Sequence, residues 1–327
     1  MKIALTGSTG HLGATIMHEL TNRNYSAKAL FRDDYNPAFT DFPIEFIKGD
    51  IMHSDAVNNL LRDCDTVIHC AALISVNADP TGLVHKTNVD GTQLVIDHAL
   101  KAGIKRFIHI SSIHAFKQQP SLEVLDEQRQ PVNESAFAYD RSKLAGQNIA
   151  LAANGENMQV LVINPTAIIG PYDYKPSLMG KVLIDLYKGR LPIIFNGGFD
   201  FCDCRDVANA IINATTIGKP GEVYLLAGKW HSLKQLTQIL SIVSTKKINP
   251  ITLSHFAAKL GIPIVKLIAA IKKKEPLYTH EALEALFTGN RYISSEKAKN
   301  TLNYTTRPFE ETMLDTILWF KNKGYLD

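Results

Sequence analysis

The chain has only four cysteines in 327 residues, and that scarcity argues against a disulfide framework of the kind small secreted folds use. Cys202 and Cys204 would share one face of a strand and are read as packing residues before a redox pair. Charge of one sign is equally scarce. With 35 Lys and Arg against 32 Asp and Glu, the net charge of +3 is too slight to argue for a nucleic-acid partner. The one basic tract, Lys272-Lys273-Lys274, ends a helical stretch, where cations suit the dipole, and reads as a solvated face. Long apolar runs are missing too: Ser254–Lys274 is broken by Lys259, Lys266 and Gly261-Ile262-Pro263, so no membrane span is expected. No cluster of His, Cys, Asp and Glu has metal-ligand spacing, so no metal is expected. Repeats and low-complexity linkers are absent. The first strand begins at the second residue, leaving no room for a signal peptide, and the cytoplasm is the expected compartment.

What the chain does have begins at once. Lys2-Ile3-Ala4-Leu5 reads as a buried strand, Thr6-Gly7-Ser8-Thr9-Gly10-His11-Leu12-Gly13 follows, and Ala14–Asn22 reads as a helix. Strand, glycine turn and helix is the context that makes a glycine pattern a dinucleotide site. Gly7 permits the tight turn, Gly10 lets backbone approach a pyrophosphate, and Gly13 lets helix pack on strand. The second strand ends in Phe31-Arg32, where an NAD-binding unit usually carries an acidic residue for the ribose hydroxyl. A guanidinium suits a 2′-phosphate, so NADP(H) is expected in preference to NAD(H). Asp33 and Asp34 follow it, and Asp33 on the ribose is the competing reading.

Strand and helix go on alternating. Ile44–Lys48, Thr66–Cys70 and Arg106–Ile110 are strand-like; Ser54–Arg62, with Ser54 as cap, and Thr87–Ala102 are helical. Gln159–Ile163 and Glu222–Leu226 look like returning core strands with a helix over Asp206–Thr215 between them. Repeated βα units predict an α/β fold with a doubly wound parallel sheet and ligands at the strands' carboxyl ends.

Tyr139 and Lys143, in Ala-Tyr-Asp-Arg-Ser-Lys, are four apart and would share one helix face. A phenol titrates near 10 and is a poor proton carrier at neutral pH. A positive charge about 6 Å away at an effective dielectric of ~20 favours the phenolate by roughly 3 kcal/mol, or about two pKa units. The ammonium is therefore expected to bring Tyr139 into range for acid–base work.

These residues resemble the extended short-chain dehydrogenase/reductases, the NAD-dependent epimerase/dehydratase family, and within it the dihydroflavonol-4-reductase-like branch. The marks are the glycine loop, Asp50-Ile51, Ala71-Ala72, Asn88-Val89-x-Gly91-Thr92, Ser111-Ser112, Tyr139-x-x-x-Lys143, Asn164-Pro165-Thr166 and Arg205-Asp206-Val207-Ala208. The resemblance runs essentially end to end. It implies a Rossmann domain formed by 1–168 with 206–228, and a smaller, mostly helical C-terminal substrate lobe formed by 169–205 with 229–327.

By the same resemblance Ser112 holds the substrate oxygen, Tyr139 passes it a proton, and Lys143 lowers the tyrosine pKa and holds the nicotinamide ribose. Gly7, Thr9, Gly10, His11, Leu12 and Gly13 surround the pyrophosphate. Arg32, Asp50 and Ile51 lie at the adenosine, Ala71 and Ala72 leave room beside the backbone, and Pro165 and Thr166 lie near the nicotinamide. Ser111 and His109 read as structural, His109 as a satisfied core residue.

Departures from the family pattern narrow the chemistry. Ile113 and His114 follow Ser112 where dehydratases carry an Asp-Glu pair, so elimination of water is not expected. Gly197-Gly198-Phe199-Asp200-Phe201 has no arginine where epimerases often grip a diphosphate, which favours a smaller or more apolar substrate. His114 and Phe199 are the candidate substrate contacts, His114 otherwise being a hydrogen-bonded loop residue. Phe256, Leu260, Ile264, Leu267, Ile268 and Ile271 recur at near-helical spacing, as core, dimer packing or an apolar lid. The expected function is NADPH-dependent reduction of an aldehyde or ketone, reversible as alcohol oxidation, with a small-molecule substrate and a possible homodimer. The alternatives are a nucleotide-sugar epimerase, a hydroxysteroid dehydrogenase-like enzyme and a non-catalytic NADP sensor.

Overall fold

The computed structural model describes residues 1–32, 39, 42–76, 78–254 and 279–327. Asp33, Asp34, the apolar stripe from Phe256 to Ile271 and the Lys272–Lys274 run lie outside the described residues.

In chain order the strands are β1 (Lys2–Thr6), β2 (Ser26–Phe31), β3 (Glu45–Lys48), β4 (Thr66–His69), β5 (Arg106–Ile110) and β6 (Gln159–Pro165). They continue with β7 (Ala167–Ile169), β8 (Ile193–Phe195), β9 (Gly198–Asp203), β10 (Val223–Leu226), β11 (Lys229–Ser232) and β12 (Ile251–Leu253). Seven of them form one sheet in the order β10-β6-β5-β4-β1-β2-β3, and every pairing in it is parallel. A parallel sheet is covered on both faces, which is why its strands read as apolar runs without polar alternation. Ile3 and Leu5 enter one core with Met17 and Ile211; Ala4 between them enters the other with Leu60, Val67 and Val95.

The first layer holds α1 (His11–Asn22) and the helix Cys204–Ile217, the second α2 (Ser54–Leu61) and the helices Gly91–Lys101 and Ala138–Ala152. Arg23, just past α1, donates to Asn213 at 2.8 Å and Asn209 at 2.6 Å on Cys204–Ile217, tying the first layer together. The strand order reverses between β1 and β4, and that switch point opens a crevice at the carboxyl edge.

A second body packs beside the sheet. β7, β9 and β11 form a three-stranded sheet and β8 pairs with β12, around a core that includes Leu183, Phe201, Leu236, Met313 and Phe320. A buried carboxylate joins the two sheets. Asp200 of β9 accepts from the Thr166 hydroxyl at 2.7 Å and from Gly228 N–H at 2.8 Å.

Three local expectations are corrected. Ser54 does not cap α2: His53 stands at that position, and the Ser54 hydroxyl pairs with His98 Nε2 at 3.1 Å. Cys202 and Cys204 do not share a strand face, because Cys204 already begins a helix; both are buried free thiols. His109 is buried as expected, yet neither ring nitrogen has a hydrogen-bond partner among the described residues.

On the outer side of α1, His18 stacks on Tyr172 with centroids 3.8 Å apart and meets the Tyr174 hydroxyl at 3.0 Å. Burial first, then the Lys323 charge, lowers its pKa from 6.5 to about 4. As pH falls below 6.5 the unfolded chain takes up this proton before the folded one, so the stability present above that value is lost progressively toward pH about 4. The urea midpoint of His18→Phe is expected to fall less than that of the wild type between about pH 7 and about pH 5. Equal falls would remove His18 from the account.

Candidate active site

The glycine loop leaves β1 at the switch point. Gly7 has φ +72°, and a Cβ there would stand 2.6 Å from Ala71 N on the neighbouring segment. A methyl on Gly13 would overlap the Gly7 carbonyl. Gly10 caps α1 with no side-chain hydrogen bond, so the first-turn N–H groups of this 12-residue helix remain open. Backbone approach without Cβ atoms, opposite an open helix N-terminus, is what a pyrophosphate requires. Ser8 turns inward and donates to Leu30 O at 2.7 Å, while Thr9 and Leu12 keep partial exposure. His11 Nε2 meets Pro171 O at 2.9 Å.

At the end of β2, Arg32 lies 3.6 Å from Asp50 Oδ2, with its side chain 68% exposed. Asp50 also accepts from Met52 N–H at 2.9 Å, and Ile51 is buried beside Gly91. Arg32 thus stands largely in solvent beside the Asp50 carboxylate. Ala71 is partly buried and Ala72 exposed.

Below this rim runs a chain of buried hydrogen bonds that sequence reasoning missed. Thr92 donates to Asn88 O at 2.8 Å, so its oxygen accepts from His69 Nε2–H at 3.1 Å. His69 Nδ1 then accepts from the Thr6 hydroxyl at 2.8 Å, and Thr6 accepts from Ala71 N–H at 3.2 Å. Burial, with the Lys143 charge behind it, lowers the His69 pKa to about 3, so the ring stays neutral as this pattern demands. Asn88 clamps Leu73 by accepting from its N–H at 2.7 Å and donating to its carbonyl at 3.0 Å. It also donates to Ser142 Oγ at 2.9 Å, and Ser142 donates to Tyr139 O at 2.7 Å. The nucleotide loop and the tyrosine helix are therefore one bonded unit. The signal was present in Asn88-Val89-x-Gly91-Thr92, but a motif does not reveal which strand it serves.

Tyr139 and Lys143 lie one turn apart on the helix Ala138–Ala152, as their spacing predicts. Ser112 follows the end of β5, with its side chain on the Tyr139 hydroxyl side, where it favours the ionised phenol. Its own oxygen accepts from His114 N–H at 3.2 Å, while its backbone carbonyl accepts from Asn164 Nδ2 at 2.7 Å. Lys143 is 4% exposed and donates to Ile110 O at 2.7 Å. Ser111 donates to Lys143 O at 3.2 Å, the structural role read for it.

The expected depression of the phenol is corrected. Tyr139 is pushed up to about 12, by burial first, against the Ser112 hydrogen bond and with the Asp140 charge adding to the rise. Burial lowers Lys143 to about 8. The spacing argument placed an ammonium beside the phenol but omitted the desolvation of both groups.

The remaining candidates fall as follows. Pro165 ends β6, and the Thr166 hydroxyl is committed to Asp200. Phe199 stands in β9, edge-on to Phe201 at 6.0 Å between centroids. His114 pairs through Nδ1 with Asp140 Oδ1 at 3.1 Å and meets the Tyr139 ring edge-on at 5.8 Å. Asp140 was not singled out beforehand, since an acidic residue in the first turn of a helix is ordinary. Among the described residues no group of three His, Cys, Asp or Glu could hold a metal ion. Nor is any described helix long and apolar enough to cross a membrane.

A glycine cradle at a parallel-sheet switch point, with serine, tyrosine and lysine at the next strand end, defines a class of nicotinamide-dependent enzymes. Residues 3–227 match the NAD dependent epimerase/dehydratase family, and the chain belongs to it. Along its whole length it is 27% identical to sterol demethylase protein B of Methylococcus capsulatus, covering 100% of each chain. It is 28% identical to a Synechocystis protein provisionally named dihydroflavonol 4-reductase, over 98% of this chain and 95% of that one. It is 26% identical to the 4-hydroxy-2-methyl-3-oxo-4-farnesyl-3,4-dihydroquinoline-1-oxide ketoreductase of Stigmatella aurantiaca, over 97% and 96%. Among solved structures, that of gox2253 superposes with a TM-score of 0.84 at 27% identity, covering 100% of this chain and 99% of the other. The UDP-glucose 4-epimerase of Thermotoga maritima shares the fold at a TM-score of 0.81 and 18% identity, over 99% of each chain.

Proposed function

We propose that the protein is an NADPH-dependent reductase of an aldehyde or ketone, reversible in principle as an alcohol dehydrogenase. The observation that carries this reading is the gathering of Ser112, Tyr139 and a buried Lys143 at the carboxyl edge of β5, with burial keeping the Tyr139 hydroxyl protonated. When bound, the nicotinamide would supply the hydride, and the carbonyl oxygen would gain negative charge as it arrives.

Ser112 already accepts from His114 N–H, which leaves its own proton for that oxygen. Tyr139, with a pKa near 12, rests as a proton donor and suits the far more basic alkoxide. Lys143, held by the Ile110 carbonyl, would engage the nicotinamide ribose and add a positive charge under the site. The glycine loop and the α1 N-terminus would hold the pyrophosphate, and Pro165 would lie beside the nicotinamide. Residues 169–205 with 229–327 would serve as the substrate lobe, Phe199 and His114 facing the bound molecule. The ketoreductase from Stigmatella aurantiaca supports a carbonyl substrate of apolar character.

Arg32 would grip the 2′-phosphate and set the preference for NADP(H), Asp50 orienting it. NADPH is expected to bind at least about tenfold more tightly than NADH, and Arg32→Ala to remove most of that difference. Tighter NADH binding by the wild type would reverse the cofactor assignment.

An epimerase is the second reading, favoured by the shared fold with UDP-glucose 4-epimerase. Net oxidation of NADPH by a panel of aldehydes, ketones and flavanonols separates the two, because an epimerase returns its hydride to the same carbon.

A further inference from the structure

Reduction of a carbonyl consumes one proton per turnover, and the proton Tyr139 gives away has to be replaced from water. Lys143 is only 4% exposed, so its ammonium does not itself meet bulk water. The His114 side chain, by contrast, is 33% exposed and lies edge-on to the Tyr139 ring at 5.8 Å. Its Nδ1 is fixed by Asp140 Oδ1 at 3.1 Å, and the Asp140 side chain is itself only 18% exposed. A carboxylate on Nδ1 makes that nitrogen the donor and leaves Nε2 to exchange a proton. Among the described residues Nε2 has no hydrogen bond within the protein. Asp140 immediately follows Tyr139 in the chain, so the pair cannot drift away from the phenol.

We propose that His114, oriented by Asp140, is the relay that returns a proton from solvent to Tyr139 after each reduction. The step balances without a redox partner. Once Tyr139 has protonated the product oxygen, the Nε2–H bond of a protonated His114 breaks and an O–H bond forms at the phenolate, directly or through one water. Neutral His114 then takes a proton from bulk water, while Nδ1–H stays on Asp140. Beyond the dyad, Asp140, His280 and Arg141 all act on the Glu281 carboxylate, and His280 meets Phe137 at the mouth of the same helix.

The inference rests on the reductase reading, and its test separates the two. Enzyme preloaded with NADPH is mixed with substrate, and the first turnover is compared with the steady state for wild type, His114→Ala, His114→Gln and Asp140→Asn. Tyr139 starts protonated, so steady-state kcat is expected to fall at least about tenfold further than the first-turnover rate does. Added imidazole is expected to restore the later turnovers of His114→Ala. Independently of activity, nitrogen-15 NMR of the His114 ring should show an Nδ1–H tautomer that is lost in Asp140→Asn. Equal losses in first and later turnovers would make His114 a substrate-positioning residue and overturn the relay. Unchanged kinetics in all three variants, beside an active wild type, would overturn the relay alone. A wild type that consumes no NADPH would overturn both readings, since a redox-neutral reaction has no proton to replace.

Discussion

Tyr139→Phe is expected to lower kcat for NADPH-dependent reduction by roughly 10² to 10⁴-fold, the usual worth of a positioned acid. The ring, its edge contact with His114 and the helix that carries it all remain; only the hydroxyl is lost. Cofactor affinity is therefore expected to stay within about threefold, since nothing in the glycine loop is touched. Absorbance decay of NADPH gives the first quantity and a fluorescence titration the second. A Tyr139→Phe variant that reduces substrate at the wild-type rate would leave the reaction without its assigned donor. The same chemistry sets a pH dependence. The phenol stays protonated through neutral pH, whereas Lys143, lowered to about 8 by burial, loses its charge as pH rises through that value. The reduction rate is accordingly expected to decline on the alkaline side of about 8, while the phenol itself is still protonated.

Gly7→Ala is expected to be among the most damaging single methyls in the molecule's nucleotide half. The φ of +72° costs a side chain roughly 1–2 kcal/mol by itself. The larger penalty is steric, because the new Cβ would meet backbone atoms of Cys70 and Ala71 at 2.6 to 2.9 Å, and backbone has no rotamer to escape into. Relief requires the turn after β1 to move away from the end of β4, which strains the Ala71–Thr6 bond. A loss of NADPH affinity of at least about a hundredfold and a lowered Tm are expected together. Gly103, also at positive φ with nothing near its would-be Cβ, is the control: Gly103→Ala should cost the backbone term without the loss of affinity. Equal affinities for the two variants would show that the space beside Gly7 is not what the cofactor uses.

Much of this architecture was legible in the amino-acid order. Arg106–Ile110 forms a strand over the range read from its apolar pattern, and the helix read over Asp206–Thr215 spans Cys204–Ile217. Both carry a local signal, because a buried parallel strand and a two-layer helix are uniformly apolar where they touch the core. Tyr139 and Lys143 fell on one helix for the same local reason. What stayed hidden depends on depth and on partners distant in sequence. Spacing does not report that Tyr139 and Lys143 are both desolvated, and so it gave the wrong sign for the phenol. It could not show His69 joining Thr6 to Thr92, residues 86 apart, nor that Thr166 would spend its hydroxyl on Asp200. His109 marks the opposite error: an apolar setting was read correctly, but the satisfaction of its nitrogens was assumed.

The carboxylate of Asp200 also constrains how the molecule can breathe. It is 7% exposed and bonded at once to Thr166, at the end of β6, and to Gly228, just past β10. Pulling β9 away from the main sheet would strand a buried charge, so this seam is the stationary axle about which any opening must swing. Amplitude should then be least at Thr166 and Gly228, where the two sheets are pinned together.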